Sequence, residues 1–199
     1  DKPFEAPEHV CSSYDNCHVP WGSTHEKTWH LVKTLPHVSG LFVWTGFDYL
    51  GEPTPYWWPS RSSFFGIVDL AGFPKDIYYM YKSEWTNEPV LHIFPHWNWK
   101  EGEPVDIWAY YNNADEVELY LNGKSLGVRQ KTDSTYHVSW RVPFTPGTLK
   151  AVSRLGGKEV LVKEIHTAGE PARLVLTPDR SVIQADGSDL SFVTIDVCD

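Results

Sequence analysis

Residues 40–59 read GLFVWTGFDYLGEPTPYWWP, and this stretch decides the fold. Its apolar part, residues 41–44, is short, continuously hydrophobic and bounded by Gly40 and Gly46. That pattern is typical of a strand buried on both faces of a parallel sheet, and it predicts such a strand at 40–45. The apolar run then stops, which predicts that an irregular loop follows the strand.

The predicted loop carries two acids, Asp48 and Glu52, among several aromatic rings. Enzymes built on barrels or open α/β sheets place their sites at the C-terminal ends of strands, where this loop begins. Aromatic faces beside carboxylates suit a sugar, because its C–H face stacks on a ring while its hydroxyls bond to acids. The alternative is that each ring simply packs in a core, as most Trp and Tyr do.

Three ordered runs extend this pattern: FVWTGFDYLGEPTP at 42–55, WPSRSS at 58–63 and FGIVDLAGFPKD at 65–76. Together they closely resemble the β-galactosidases of glycoside hydrolase family 2, strongly over residues 9–86 and more weakly to the end of the chain. In that family the segment is the last strand of the catalytic (β/α)8 barrel and its loop. The resemblance implies that Trp44 forms a wall of the galactose pocket.

Composition limits the classes of partner. The net charge of −9 disfavours nucleic acid and anionic membranes, because a phosphate backbone is bound through Lys and Arg. A neutral carbohydrate substrate is easier to accept, and no apolar run approaches the ~20 residues of a membrane span.

Cys11, Cys17 and Cys198 form an odd set in which a Cys11–Cys17 bridge and free thiols both remain open. The chain has no recognisable signal peptide; we favour a periplasmic or extracellular location, and the oligomeric state stays open.

The sequence predicts a mixed fold in three parts. Residues 1–86 are expected to be the C-terminal part of a (β/α)8 TIM barrel, whose other strands would lie N-terminal to Asp1. A helix capped by Ser23 or Thr24 precedes the strand, and a second helix is expected to start at Pro74. Residues 87–168 are expected to form an immunoglobulin-like β-sandwich, and residues 169–199 the beginning of a further β-sandwich domain.

The sandwich prediction depends on alternating segments separated by turn signals. Alternation recurs at 90–94, 105–110, 117–121, 136–142, 147–153 and 158–166. The pairs Asn122-Gly123 and Gly156-Gly157 are strong signals of tight hairpin turns. Trp97 and Trp99 lie at a strand end and are either an exposed sugar platform or a surface packed against the barrel.

The family resemblance also implies the chemistry. Retaining glycosidases use two carboxyl groups ~5 to 5.5 Å apart, one as nucleophile and one as acid/base. In family 2 both are glutamates on earlier barrel strands, so we assign no catalytic residue to this chain. Trp44, Asp48 and Glu52 are the candidate substrate-binding residues, the two acids serving either hydroxyl recognition or loop architecture. Three other acids are expected to be solvated charges: Glu5, Glu8 and Glu26.

No metal site is expected. A hydrolytic zinc site would show a helical i, i+4 pair of histidines with a nearby Glu, and neither His25 with His30 nor His92 with His96 forms such a pair. No organic cofactor is predicted, although the resemblance allows sodium or magnesium.

Two classes of function stay open. One is a hydrolase of terminal β-galactosides, or a family 2 hydrolase of β-glucuronides or β-mannosides; the other is a non-catalytic carbohydrate-binding or interaction module.

Overall fold

The computed structural model describes residues 2–3 and 11–199, and over these residues the chain is mostly β-sheet with two helices. Glu5 and Glu8 lie outside the described residues. No helix in the described part is long and apolar enough to cross a membrane. The elements, in chain order, are β1 (Lys2–Pro3), β2 (Cys17–His18), α1 (His25–Thr34), α2 (Asp76–Trp85), β3 (Leu91–Phe94), β4 (Pro104–Tyr111), β5 (Glu116–Leu121), β6 (Lys124–Arg129), β7 (His137–Pro143), β8 (Thr148–Leu155), β9 (Lys158–His166), β10 (Arg173–Pro178) and β11 (Val193–Cys198).

Strands β3 to β9 form two antiparallel sheets that face each other. One sheet has the order β3-β4-β7 and the other the order β6-β5-β8-β9. Alternate residues of β4, β5, β7 and β8 are buried between the sheets, because side chains of a strand point to opposite faces in turn. All six alternating segments identified from sequence are strands. Strand β6 was not identified, because Gly127 and its polar neighbours obscure the alternation.

Both predicted hairpin turns are confirmed. Asn122 and Gly123 have φ values of 50° and 79°, and Gly156 and Gly157 have φ values of 56° and 77°. Two consecutive positive φ values define the type I′ turn, whose twist matches the twist of the flanking strands. The first turn joins β5 to β6, and the second joins β8 to β9.

Trp97 is a core residue of this sandwich, so both interpretations made from sequence are wrong. Its side chain is 1% exposed, its ring meets Phe144 edge-on at 5.0 Å, and its Nε1 donates to the Thr145 carbonyl at 3.0 Å. Trp99 is half-buried and stacks on His96. The ring of Trp97 faces inward because the hydrophobic interior between the sheets extends to this strand end, which the local sequence does not reveal.

The expected strand at 40–45 is absent from the structure. Residues 41–45 instead alternate between half-buried and exposed, with Phe42 fully exposed and Val43 packed towards α2. Among the described residues, one neighbour pairs with this segment: Thr45 donates to Phe65 O, and Val68 donates to Gly46 O, both at 3.0 Å. A strand buried in a parallel sheet needs neighbouring strands beside it and packed layers over both of its faces, and a single short parallel pairing does not provide these.

The helices begin differently from the sequence prediction. Helix α1 follows Thr24, but the Thr24 side chain makes no capping bond. Asp15 replaces it: its two carboxylate oxygens accept the backbone N–H groups of His25 and Glu26 at 2.9 and 2.7 Å. Helix α2 begins at Asp76 and not at Pro74, because the backbone at Pro74 forms a bridge with Val68.

Both helices pack against the outer face of sheet β3-β4-β7. Met80 and Tyr81 of α2 form a buried aromatic cluster with Phe94, Tyr110 and Tyr136 of the sandwich. Glu26 of α1 lies in this interface, where its carboxylate binds His137 Nδ1 at 2.7 Å. The prediction that Glu26 is a solvated charge is therefore wrong, because the docked sheet covers it.

The last two strands stand apart from the sandwich. Strands β10 and β11 form an antiparallel pair whose residues are almost all exposed on both faces.

All three cysteines are free thiols, so the Cys11–Cys17 bridge is not formed.

Candidate functional site

Trp44 and Glu52 lie on the wall of a cleft of about 760 Å³. Three parts of the chain line it: the segment that runs from Cys11 to His25, the aromatic loop between residues 44 and 66, and the start of α2. Asp48 is not among the lining residues in the described part of the chain. The structure therefore brings together two of the three site residues predicted from sequence and leaves the third behind the wall.

Trp44 presents its indole to the open side of this wall. The side chain is 72% exposed, and its ring meets Tyr49 edge-on with the two centroids 6.1 Å apart. Trp44 Nε1 donates to the Tyr49 hydroxyl at 3.2 Å, and that hydroxyl donates in turn to Glu52. The hydrogen bond to Glu52 raises the pKa of Tyr49, so the hydroxyl remains a donor. Tyr49 thus links the indole to the carboxylate, a link that the sequence analysis missed.

Asp48 is held in an ion pair behind the loop. Its side chain is 7% exposed, and Lys75 Nζ lies 2.9 Å from Oδ1 and 2.8 Å from Oδ2. The backbone N–H of Gly66 donates to Oδ1 at 2.8 Å. Because these donors occupy the carboxylate, the geometry favours loop architecture over hydroxyl recognition for Asp48. Its role in binding a sugar stays a prediction.

Gly66 permits the close approach on which this ion pair depends. A Cβ atom at position 66 would lie 2.1 Å from the backbone N of Asp48 and 2.4 Å from the carbonyl carbon of Phe47. Backbone atoms cannot move aside as a flexible side chain can, so any residue other than glycine would push the two segments apart. The glycine therefore holds the segment at 65–68 against the segment that carries Trp44 and Asp48.

The part of the cleft wall formed by the segment from Cys11 to His25 is anchored to the sandwich. The Tyr14 hydroxyl donates to the backbone carbonyl of Asp106 in β4 at 2.7 Å, and the Tyr14 ring meets Trp108 edge-on at 5.1 Å. The Cys11 thiol lies 3.2 Å from the Tyr56 hydroxyl, which joins this wall to the aromatic loop. Contacts over such sequence distances leave no local signal, so sequence reasoning could not identify Tyr14.

Two buried groups near this wall have shifted pKa values of opposite sign. Burial raises the pKa of Asp15 to about 6, even though two backbone N–H groups stabilise its charged form. Burial lowers the pKa of His25 to about 4, and its Nδ1 lies 2.9 Å from the Tyr81 hydroxyl. At neutral pH the structure therefore holds an ionised Asp15 and a neutral His25 side by side.

The carboxylates around the cleft are largely engaged. Asp15 caps α1, Asp76 binds His92 Nε2 at 2.7 Å, and Glu52 accepts from Tyr49. Within residues 2–3 and 11–199, no group of three or more His, Cys, Asp or Glu side chains is placed to hold a metal ion. These residues can shape a pocket wall and accept hydrogen bonds, and we assign none of them as a nucleophile.

Part of the sandwich matches a known sequence family. Residues 102–161, from the start of β4 to the middle of β9, match the model described as "Domain of unknown function (DUF4982)". That description assigns the sandwich no activity.

Relatives cover the rest of the chain. The chain is 62% identical over 199 residues to beta-galactosidase BoGH2A of Bacteroides ovatus. The match covers 100% of this chain and 23% of that protein. It is 42% identical over 171 residues to a putative beta-glucuronidase of Formosa agariphila. That match covers 82% of this chain and 16% of the relative. The chain thus spans less than a quarter of the length of these two relatives.

Solved structures agree with the sequence relatives. A beta-glycosidase from Bacteroides vulgatus superposes with a TM-score of 0.87 at 36% identity, covering 96% of this chain and 24% of that one. A glycosyl hydrolase family 2 member from Bacteroides cellulosilyticus superposes with a TM-score of 0.78 at 32% identity, covering 87% and 27%. Similarity over the whole sequence and superposition on a family member lead to one conclusion: the chain belongs to glycoside hydrolase family 2.

Proposed function

We propose that this chain is part of a retaining glycoside hydrolase that removes terminal β-galactosyl residues, and that it supplies one wall of the sugar pocket. The observation that carries the proposal is the exposed Trp44 indole on the cleft wall, joined through Tyr49 to Glu52. An indole face binds the C–H face of a pyranose, and a carboxylate beside it accepts hydroxyl hydrogen bonds. A relative named as a beta-galactosidase, 62% identical along this chain, supports the choice of sugar.

The two catalytic carboxyl groups of a double displacement belong, in this proposal, to parts of the protein outside these 199 residues. The work of this chain is positioning: Trp44 holds the sugar ring, and the Asp48–Lys75 pair fixes the loop from behind. Precise positioning matters because a catalytic geometry that is misplaced by an ångström loses much of its rate advantage. We expect residues 1–199 alone to be inactive.

We propose the following domain boundaries with this function. Residues 1–86 would be the C-terminal part of a TIM-barrel domain, an assignment supported by the parallel pairing of Phe47 with Val68 and by helices that precede and follow this segment in the chain. Residues 87–168 would be an immunoglobulin-like domain, supported by the sheet orders β3-β4-β7 and β6-β5-β8-β9. Residues 169–199 would begin a further β-sandwich, supported by the exposed β10–β11 pair.

The second candidate is a β-glucuronidase, because several relatives carry that name. A glucuronide carries a carboxylate, and the acids that line the cleft, Asp15, Glu52 and Asp76, would repel it. The lysine of the cleft, Lys75, is already paired with Asp48. The charge of the wall therefore favours a neutral sugar. A β-mannosidase and a non-catalytic carbohydrate-binding module are the remaining alternatives.

A substrate panel tests this proposal. The full-length protein is assayed on the nitrophenyl β-glycosides of galactose, glucuronic acid and mannose, with the 199-residue chain as the control. We expect the full-length protein to prefer the galactoside by at least about tenfold in kcat/KM and the 199-residue chain to hydrolyse none of the three. A preference for the glucuronide would reverse the choice of sugar, and an inactive full-length protein would leave only a binding module.

A further inference from the structure

The tip of the aromatic loop carries two adjacent exposed indoles. Trp57 is 70% exposed and Trp58 is 73% exposed. Single exposed apolar side chains are common on protein surfaces, but neighbouring large rings form a patch, and such patches mark binding sites. These rings do not belong to the Trp44–Tyr49–Glu52 unit, and the proposed function does not use them.

The loop is held by backbone bonds and not by burial of these rings. Gly51 N–H donates to the Arg61 carbonyl at 3.0 Å, which closes the base of the loop. Within the loop, Ser60 N–H donates to the Trp57 carbonyl at 2.8 Å. The ring of Tyr56 packs inward against Phe64, with centroids 4.9 Å apart. These contacts hold the loop backbone on both sides of the two exposed indoles.

The backbone at Trp57 is strained. Its φ of 51° lies in the left-handed region, which is unfavourable for any residue other than glycine. An exposed ring returns little packing energy to offset that cost, and strained residues of this kind cluster at ligand sites. The turn at Trp57 lies between the buried Tyr56 and the exposed Trp58.

Trp58 has the form of a stacking platform. The Arg61 guanidinium lies 4.8 Å from its ring centroid and covers one face, while the 73% exposure of the side chain leaves the opposite face to solvent. The guanidinium stacks on the ring, and its edge carries N–H donors of the kind that bond to hydroxyl groups. Nucleobases also stack on such rings, but the net charge of −9 opposes a polyanion.

The platform continues from the cleft. Pro55 and Tyr56 line the cleft together with Trp44 and Glu52, and Trp58 follows Pro55 by three residues, at most about 11 Å of chain. The two indoles therefore follow directly along the chain from the part of the cleft wall that Pro55 and Tyr56 form. We propose that Trp57 and Trp58 bind the sugar unit on the leaving-group side of the galactosidic bond, so that neutral galactosyl oligosaccharides are the preferred substrates. This inference rests on the proposed function, which places the terminal galactose against Trp44.

The test compares a long and a short substrate in the full-length protein. Release of galactose is measured from a β-linked galactotriose and from methyl β-galactoside, whose aglycone is too small to reach the platform. The variants are Trp57→Gly, which also relieves the strained φ, Trp58→Ala and Trp58→Phe. Phe192→Ala is the matched control, because Phe192 is also 70% exposed but follows the β10 strand, in a different part of the chain.

We expect Trp57→Gly and Trp58→Ala to lower kcat/KM for galactotriose about tenfold and to change it less than twofold for methyl β-galactoside. Trp58→Phe should retain most of the rate because it keeps a flat ring, and Phe192→Ala should leave both substrates unaffected. Equal losses on both substrates, or no loss on galactotriose, would overturn the proposal.

If the wild-type protein releases galactose from neither substrate, the proposed function fails, and binding then tests the platform by itself. In electrophoresis through gels that contain soluble β-galactan, the platform predicts that the wild-type protein is retarded and that Trp57→Gly and Trp58→Ala are not. Equal retardation of all three proteins, or no retardation of the wild-type protein, would refute a sugar platform.

Discussion

The sandwich and the aromatic region differ in how they use apolar side chains. In the sandwich of strands β3 to β9, rings and aliphatic groups such as Trp97, Ile107 and Leu119 are almost completely buried. In the segment at 40–73, large apolar side chains such as Phe42, Trp44 and Trp58 are exposed, and polar contacts fix the backbone. The comparison teaches that hydrophobic burial stabilises the sandwich, whereas the aromatic region leaves its rings exposed for contacts outside the described residues.

Removing one ring from each region tests this difference most directly. Trp97→Ala should lower the free energy of unfolding of the 199-residue chain by about 3–5 kcal/mol, because it leaves a cavity in the sealed core. Phe42→Ala, the matched substitution of a fully exposed ring, should change it by less than about 0.5 kcal/mol. Chemical denaturation measures both. Similar losses for the two variants would mean that the regions do not differ as described.

The pH dependence of stability tests the wall that joins the two regions. The raised pKa of Asp15, about 6 against 3.8, gives stability that is present below pH 4 and lost as pH rises to about 6. The lowered pKa of His25, about 4 against 6.5, gives stability that is present above pH 6.5 and lost as pH falls to about 4. The two contributions change with pH in opposite directions, so their slopes nearly cancel between pH 4 and pH 6.

Single variants should uncover each slope. The unfolding free energy of Asp15→Asn minus that of the wild-type chain should rise by about 2 kcal/mol from pH 4 to pH 6, since one pKa unit corresponds to about 1.4 kcal/mol and the group is partly titrated at both ends of this range. For His25→Asn the difference should fall by about the same amount. Urea denaturation at intervals of half a pH unit measures both differences. Slopes of the same sign in the two variants would contradict the burial assigned to these groups.

The ion pair behind the aromatic loop should give the smallest of these effects. Asp48→Asn and Lys75→Met should each cost about 1–3 kcal/mol, because each leaves a partly buried charge without its partner. Since Lys75 is 31% exposed, solvent screens the pair, and the lower end of that range is expected. The double variant should cost less than the sum of the single losses, by at least about 1 kcal/mol. Additive losses would show that the pair does not fix the loop.

Sequence reasoning succeeded where structure is local. Alternating side chains and the Asn122-Gly123 and Gly156-Gly157 turns identified the strands of the sandwich, because register and turn type depend on neighbouring residues. The family resemblance identified the stretch around Trp44, and the structure places that ring on a cleft wall. These features need no knowledge of distant contacts.

It failed where a distant residue decides the outcome. The environment of Asp48 depends on Lys75, 27 positions later, and the cap of α1 is Asp15 and not the adjacent Thr24. Trp97 and Glu26 were misplaced because their burial depends on surfaces contributed by distant segments of the chain. The strand expected at 40–45 was wrong for the same reason, since pairing requires partners that a local pattern does not contain.

The measurement that tests the central claim most directly is kcat/KM of the full-length Trp44→Ala variant on a β-galactoside, with Trp44→Phe as the conservative control. If the indole is the wall against which the sugar stacks, Trp44→Ala should lower kcat/KM by at least about tenfold and Trp44→Phe by much less. An unchanged kcat/KM in Trp44→Ala would remove this ring from the sugar site and would contradict the account.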